Sequence, residues 1–543
     1  MTIISRDWGD LLSTIIYNAL ILVVIYVSST IDPAARSVYI IYQRFFHRLS
    51  KYPGPFLASL SDAYGGFYAG KKCLHLMTRE NQLKYGAVVR QGPNKLVFSS
   101  ISALRDIYKN DRVSKPKVYT AIGSGAQVNI FTAADKQLHR SRRQLIGQIL
   151  TDRSMHAFEP IITQRIDILL NQLLDSARAS YAVNLSGSMR RLSMDVAGLL
   201  GFGFDLNLQK SNENAFMFTT LDTIVPRGNV FYHFFSLRAW LRWLSMLLSR
   251  RILEQYMGLV EKTVSTRMSE EIDARHDLYS LVANVLDSES AGLRKSELWA
   301  EANFILTAAG ETTRTAMCVT LFYLSRSPTC YRKLVNEIRG NFPTGSAING
   351  AALNNCRYLR ACINEALRMS PPGPGVLWRE KDPNDVSNNP LIIDGHVIPP
   401  GTVFGINTYS LHHNEDYFPN SFVYSPDRWL DSKNSEQANL VRDAFAPFSI
   451  GPRACAGKSM AYLEIGLVLA KIVWYFDFEK ASGKLGEIGA GNPNLGLGRE
   501  KTSEFQLYEM FTSNHDGPYL IFKPRSDVYK EIPEHILSHF PST

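Results

Sequence analysis

A cysteine placed two residues after an arginine, between glycines, is the strongest chemical feature of this chain. It lies in Phe448-Ser-Ile-Gly451-Pro-Arg453-Ala-Cys455-Ala-Gly457, which opens a helical run from Lys458 to Trp474. Gly451 and Gly457 permit tight backbone turns that a side chain would block. A thiolate at a helix start is favoured by the free amides and the helix dipole. Arg453 adds a fixed cation with five donors for a neighbouring anion, and Phe448 can cover one side against water. Such a loop suits a thiolate held against a large metal-bearing ring. Two blander readings are weaker. A free cysteine is often only core packing. Gly457-Lys458-Ser459 copies the end of a phosphate-binding loop, but Pro452 stands where its first glycine belongs and Gly451 is one residue too far away.

Two further constellations accompany the loop. A long helix is expected from about Ser296 to Ser327, ending before Pro328, and its middle reads Thr307-Ala308-Ala309-Gly310-Glu311-Thr312-Thr313. Small residues, a carboxylate and two hydroxyls stand there in place of packing side chains. They form either a close contact with a neighbouring helix or a surface flattened for a ligand, with Thr312 and Glu311 able to relay protons. A helix around Tyr358 to Met369 carries Glu365 and Arg368, three apart and therefore on one face. Arg428, in Tyr424-Ser-Pro426-Asp-Arg428-Trp429, could complete a Glu–Arg–Arg cluster. Burying such charges costs stability and makes sense only where it fixes geometry.

The elements that must position these residues are mainly α-helical with small β-sheets. Ala87–Pro93 with Leu96–Phe98 reads as a hairpin, and Leu391–Ile398, Thr402–Phe404 and Pro518–Phe522 read as further strands. Ser482–Gly498 reads as an exposed glycine-rich loop. The chain has 543 residues, 45% hydrophobic and 20% charged, which describes a globular protein with a large core. Its net charge of +9 comes from scattered Lys and Arg without aromatic-basic modules, so a nucleic-acid role is not indicated. Cysteines at 73, 318, 330, 356, 362 and 455 form no Cys-x-x-Cys pair and no zinc or iron–sulfur spacing. They indicate a reduced compartment, in which the sequon at Asn184 goes unused.

From Leu11 to Ile31 no charged residue occurs, and about 20 apolar residues match the thickness of a bilayer core. Arg36, Arg44, Arg48 and Lys51 follow the span and only Arg6 among basic residues precedes it, which places the body on the cytoplasmic side. The chain therefore divides into an uncleaved transmembrane anchor (1–32), a basic amphipathic segment with a Pro53-Gly54-Pro55 hinge (33–56), and a globular domain (57–543).

Taken together, the cysteine loop, the small-residue helix, the Glu-x-x-Arg pair and the anchored elbow resemble the cytochrome P-450 superfamily of haem-thiolate monooxygenases. The resemblance runs over nearly the whole chain, and its segments are similar to those of filamentous-fungal, endoplasmic-reticulum members of secondary metabolism. It implies a triangular helical fold around a buried haem b, with Cys455 as the ligand on iron. Phe448 would shield the sulfur, while Arg453, His139, Arg143 and Arg379 would meet the haem propionates, with Gly457 in the binding loop. Thr312 would hydrogen-bond the oxygen being activated, with Glu311 as its acidic partner. Glu365, Arg368 and Arg428 would support the proximal side. Ala309 stands where the family usually has glycine, adding one methyl beside the oxygen groove.

The resemblance further implies insertion of one oxygen atom from O2 into a lipophilic molecule, by hydroxylation or epoxidation. Electrons would come from NADPH through a membrane-bound reductase, with cytochrome b5 as a second donor, on the endoplasmic reticulum. The pocket would draw on 118–131, 216–235, 305–313 and 373–377, which are mostly apolar, so a polyketide, terpenoid or peptide-alkaloid intermediate is expected. Two competing functions are a reductase-independent haem-thiolate isomerase or dehydratase, and a non-enzymatic haem sensor. Glu311-Thr312 argues against the first, and the anchored architecture against the second.

Overall fold

The computed structural model describes residues 32–121, 128–149, 151–234, 238–271, 277, 279–280, 295–430 and 436–533. The expected membrane span lies outside them. Among the described residues no helix is long and apolar enough to cross a membrane.

The Lys295–Arg326 helix is the axis of the body. From Ala316 to Leu324 it is buried at every position, so it carries apolar residues on all sides. It packs against the Leu185–Phe202, Arg357–Met369 and Lys458–Tyr475 helices. Leu192, Phe322, Ile363, Leu367, Val468 and Ile472 belong to the core they share. The helix after the cysteine loop begins at Lys458, as expected, and is buried at every residue from Glu464 to Tyr475. The loop is therefore anchored on a rigid element.

The main sheet orders its strands as Val88–Gly92, Lys95–Phe98, Val403–Ile406, Arg379–Lys381 and Val113–Ser114. The first two form the expected antiparallel hairpin, and Lys95–Phe98 runs parallel to Val403–Ile406. The Pro-Gly-Pro segment is no free hinge. Arg90 N–H donates to Pro53 O at 2.8 Å, and a Cβ on Gly54 would overlap Arg90 O. The elbow is thus docked on the sheet. A hairpin of Tyr508–Met510 and Thr512–Asn514 was not expected. Its strands are three residues long, and Phe511 turns between them at φ +82°, a conformation usually given to Gly or Asn.

The Glu–Arg–Arg cluster forms as the sequence suggested. Arg368 donates to Glu365 through Nε at 3.0 Å and Nη2 at 2.9 Å, and Arg428 Nε donates at 3.0 Å. Trp429 Nε1 adds a bond at 2.9 Å, and the side chains of Glu365 and Arg368 are fully buried. Arg368 Nη1 also donates to His412 O at 2.9 Å. His412 Nε2 in turn accepts from Ala446 N–H at 3.0 Å, two residues before Phe448. Burial and then the charge of Arg368 push His412 down to about 3, which keeps the ring neutral and able to accept. A buried ion cluster thereby fixes the entry to the cysteine loop.

Removing one partner should strand two arginines without their anion. Glu365→Ala is expected to lower stability by about 3–5 kcal/mol, read by chemical unfolding. A loss below about 1 kcal/mol would show that the cluster carries no structural role.

Candidate functional site

The cysteine loop is closed by its own backbone. Cys455 N–H donates to Phe448 O at 2.8 Å, and Ala454 N–H to Gly451 O at 3.0 Å. Gly451 has φ +78°, and an added Cβ would overlap Tyr108 O, so glycine is required there twice over. Gly457 differs from expectation. Its φ of −84° is ordinary, and it caps the Lys458–Tyr475 helix with open space where a Cβ would stand. The Phe448 ring packs 5.2 Å from Tyr462 at the cavity edge.

Cys455 is exposed on a cavity of about 560 Å³. The surrounding protein desolvates its thiol and raises the pKa, against opposing effects of the Gly457 N–H, Arg143 and Lys458. The thiol therefore ionises readily only when a cation binds the sulfur directly, as a metal does.

On the same cavity the charge pattern is inverted. Lys115 and His139 on the cavity lining are buried and Arg453 there is half-buried, while Arg379 is buried nearby, off the lining. Arg453 donates to Ala133 O at 2.5 Å and Ala134 O at 2.7 Å. Arg379 donates to Tyr119 Oη at 3.0 Å and to its neighbour Trp378 O. Lys115 donates to Phe131 O and lies 4.3 Å from the Phe131 ring centre. Burial, then Arg379 and Arg453, push the Lys115 pKa far down. His139 is pushed down to about 3 by burial and then by Arg453, Lys115, Arg143 and Arg379.

Nearby acids are already engaged. Asp382 pairs with Lys136 at 2.5 Å, Asp385 with Arg112 at 3.0 Å, and Glu301 with Arg142 at 2.7 Å. Among the described residues, Lys115, Arg379 and Arg453 make their hydrogen bonds to carbonyls and a phenol, not to carboxylates. Buried cations lacking anions fit a ligand with carboxylates on its edge, and the arginine forks suit them. A metal-seeking sulfur and a carboxylate-seeking rim in one cavity fit haem. Arg143 lines the same cavity. It donates to Ala454 O at 2.7 Å and Cys455 O at 3.4 Å, bracing the loop.

The long helix divides both readings of its small residues. Gly310 makes the helix contact, since a Cβ there would overlap Met194 and its carbonyl accepts from Ser193 Oγ at 2.6 Å. Ala308, Ala309 and Thr312 line the cavity. Thr312 Oγ1 donates to Ala308 O at 2.7 Å, a bond it must exchange to serve a ligand. Glu311 is not the free acid that the sequence suggested. Its carboxylate is held by Arg190 Nε at 2.7 Å and Arg314 Nη2 at 3.3 Å, and Arg190 also pairs with Asp222 at 2.8 Å.

Lys115 and Glu464 escaped the sequence reading. Glu464 lines the cavity, and burial pushes it up to about 8, so it is neutral at pH 7 and does not cancel the cations. Nothing in Lys115-Pro116-Lys117 marks one lysine as buried, and Glu464 is simply a polar residue inside an apolar helix.

Comparisons with known proteins follow this geometry. The cytochrome P450 family profile matches residues 60–499. The chain is 36% identical to the cytochrome P450 monooxygenase AKT7 of Alternaria alternata, over 92% of this chain and 98% of that one. It is 31% identical to the cytochrome P450 monooxygenase apf7 of Gibberella fujikuroi over 89% and 95% of the two chains. Identity to the cytochrome P450 monooxygenase poxM of Penicillium oxalicum is 30% over 89% and 92%.

A rim built for an anion has a distinctive mutational signature. Lys115→Met should stabilise the apoprotein by removing repulsion, yet speed haem transfer to apomyoglobin about ten- to a hundredfold. Loss or gain of both together would show a merely structural lysine. The pH dependence follows from His139. Its folded pKa of about 3 lies below the ordinary value near 6.5, so its contribution is present above about pH 6.5 and lost as pH falls toward 3. His139→Gln should flatten that part of the apoprotein acid-unfolding curve, and an unchanged curve would contradict the assignment.

Proposed function

Because the chain belongs to the cytochrome P450 family, we propose that it oxygenates a lipophilic intermediate of fungal secondary metabolism, by hydroxylation or epoxidation, at the endoplasmic-reticulum membrane. Monooxygenase activity, haem and a redox partner follow from the family itself. The observation that carries the site reading is one thiol sharing a cavity with Lys115 and Arg453, cations whose hydrogen bonds go to backbone carbonyls. When bound, the haem supplies oxygen activation and oxygen transfer.

The residues then take distinct parts. Cys455 would ligate iron as thiolate, held by the Phe448 carbonyl and the brace of Arg143. Arg453, Arg379, Lys115 and His139 would receive the two haem carboxylates. Thr312 Oγ1 would hold and pass a proton at the oxygen-binding face after leaving Ala308 O. Glu311, fixed by Arg190 and Arg314, would position that face and not swing freely. Apolar cavity residues such as Phe231, Phe304, Val376 and Phe511 would orient the substrate and exclude water.

Two surfaces support the finer reading. Val38, Ile41, Phe45, Phe46, Phe56 and Leu57 are exposed apolar residues directly after the expected anchor, suited to a membrane surface. Of the basic residues there, Arg48 donates to Pro400 O and Asn94 and so serves the fold. Beside the cysteine-loop helix, a groove lined by Arg360, Arg442 and Lys458 would suit an acidic reductase.

The test is the absorption spectrum of dithionite-reduced holoprotein with carbon monoxide. A strongly red-shifted Soret band, lost in Cys455→Ala, is expected, and an unshifted band would overturn thiolate ligation. Thr312→Ala should keep that band while NADPH oxidation through a reductase diverts to peroxide. Unchanged coupling of NADPH to product would remove Thr312 from proton transfer.

A further inference from the structure

The cavity has a second polar corner that the oxygen chemistry leaves unused. Glu509 reaches it from the Tyr508–Met510 strand and is 1% exposed. His75 holds only one of its oxygens, donating to Oε2 from the backbone N–H at 2.6 Å with Nδ1 at 3.1 Å. Oε1 makes no hydrogen bond among the described residues. It rests against Gly375, where an added Cβ would overlap it, and lies 3.9 Å from His233 Nε2.

Among the described residues Glu509 has no lysine or arginine partner. Burial works to raise its pKa, and the hydrogen bonds from His75 work against that and leave it below the usual carboxylate range. Burial pushes His233 down to about 3, so at neutral pH that ring is uncharged. The nearest buried lysine, Lys95, is paired with Asp62 at 3.0 Å and with His233 O at 2.6 Å. Arg499 donates to Gln506, Leu507 O and Lys72 O.

One helical turn before His233, on the same helix, Asn229 also lines the cavity. It is 1% exposed, and neither its amide nitrogen nor its amide oxygen has a hydrogen-bond partner. Buried polar groups are ordinarily satisfied. A cluster meant only to pin the hairpin would be complete with the His75–Glu509 bonds. It would leave neither a carboxylate oxygen nor a whole amide unpaired.

The rest of that side of the cavity is aromatic. Phe131 stacks on Phe304 at 5.3 Å, and Phe511 stands edge-on to Phe131 and Tyr232 at 5.1 and 5.3 Å. Phe511 holds this place from the hairpin turn at φ +82°, backbone strain of the kind that persists where surroundings require it.

We infer that the substrate is a lipophilic molecule with a hydrogen-bond-donating head, a hydroxyl or an ammonium, received by Glu509 Oε1 and Asn229 while its body packs on the aromatic wall. The inference rests on the lipophilic-substrate reading above and narrows it to one head-group chemistry. An alkane end leaves the carboxylate unpaired, and a carboxylate end meets like charge.

Equilibrium dialysis of the holoenzyme at pH 7 with decane, decanol, N,N-dimethyldecylamine and decanoate tests it. Decanol or the protonated amine should bind about ten- to a hundredfold tighter than decane, as a hydrogen bond to a charged group provides, and decanoate weakest. Whichever of the two binds tighter identifies the head as hydroxyl or ammonium. Glu509→Gln should bring that preference toward unity while decane binding persists. Asn229→Leu, which removes an unpaired amide and so should fold, is expected to reduce it as well. If decane binds but neither variant changes the ranking, the head-group inference fails and the lipophilic pocket stands. If no probe binds, both readings fall.

Discussion

Unbalanced buried charge is the constraint on which the rest of this structure depends. Lys115 and Arg453 line one cavity with Arg379 close by, and carbonyls and a phenol are their hydrogen-bond partners. Each is partly or wholly desolvated, and each repels the others. On the same cavity a thiol is held where ionisation is disfavoured. Neither half is stable as an end in itself, because buried charges are normally paired. Both become reasonable together, for a planar ligand with a cationic centre and an anionic edge.

Holding such a ligand requires a scaffold that does not relax around the charges. The long helix presents Ala308, Ala309 and Thr312 to one side of the cavity, and Gly310 lets it seat on Met194. The cysteine loop is held at both ends. The Lys458–Tyr475 helix is buried behind it, and ahead of it the Glu365–Arg368–His412–Ala446 chain of bonds reaches to two residues from Phe448. The buried ion cluster thus earns its desolvation cost as a positioning device and not as a source of stability. Glu311 follows the same pattern, since Arg190 and Arg314 hold its carboxylate beside Thr312 on the cavity.

Much of this was legible in the residues, and the failures have physical causes. Cys455, Arg453 and Gly451 stand within five residues of one another, so local spacing revealed them. Glu365 and Arg368 share one helical turn, and Arg428 with its Trp429 neighbour joined them as suggested. The long helix, the cysteine-loop helix and the first hairpin appeared where apolar pattern and turn residues placed them. Lys115 did not, because its burial depends on tertiary packing against Tyr119 and Phe131 and on the approach of Arg379 and Arg453, which local pattern does not show. The Tyr508–Asn514 hairpin was too short for periodicity, with Phe511 at its turn in place of Gly or Asn. The ion pairing of Glu311 was not legible because Arg190 lies on another helix, although Arg314 is only three residues away. Gly457 showed the reverse error: a glycine credited with a turn has ordinary backbone angles.

A cavity whose cations receive two carboxylates must distinguish a diacid from its ester. Titrating the apoprotein with iron protoporphyrin IX and with its dimethyl ester tests this, since esterification removes both charges and adds only two methyl groups. The account predicts that the ester binds at least a hundredfold more weakly, as loss of two charge-assisted contacts requires. Equal affinity for the two would contradict it and would leave the buried cations without a purpose.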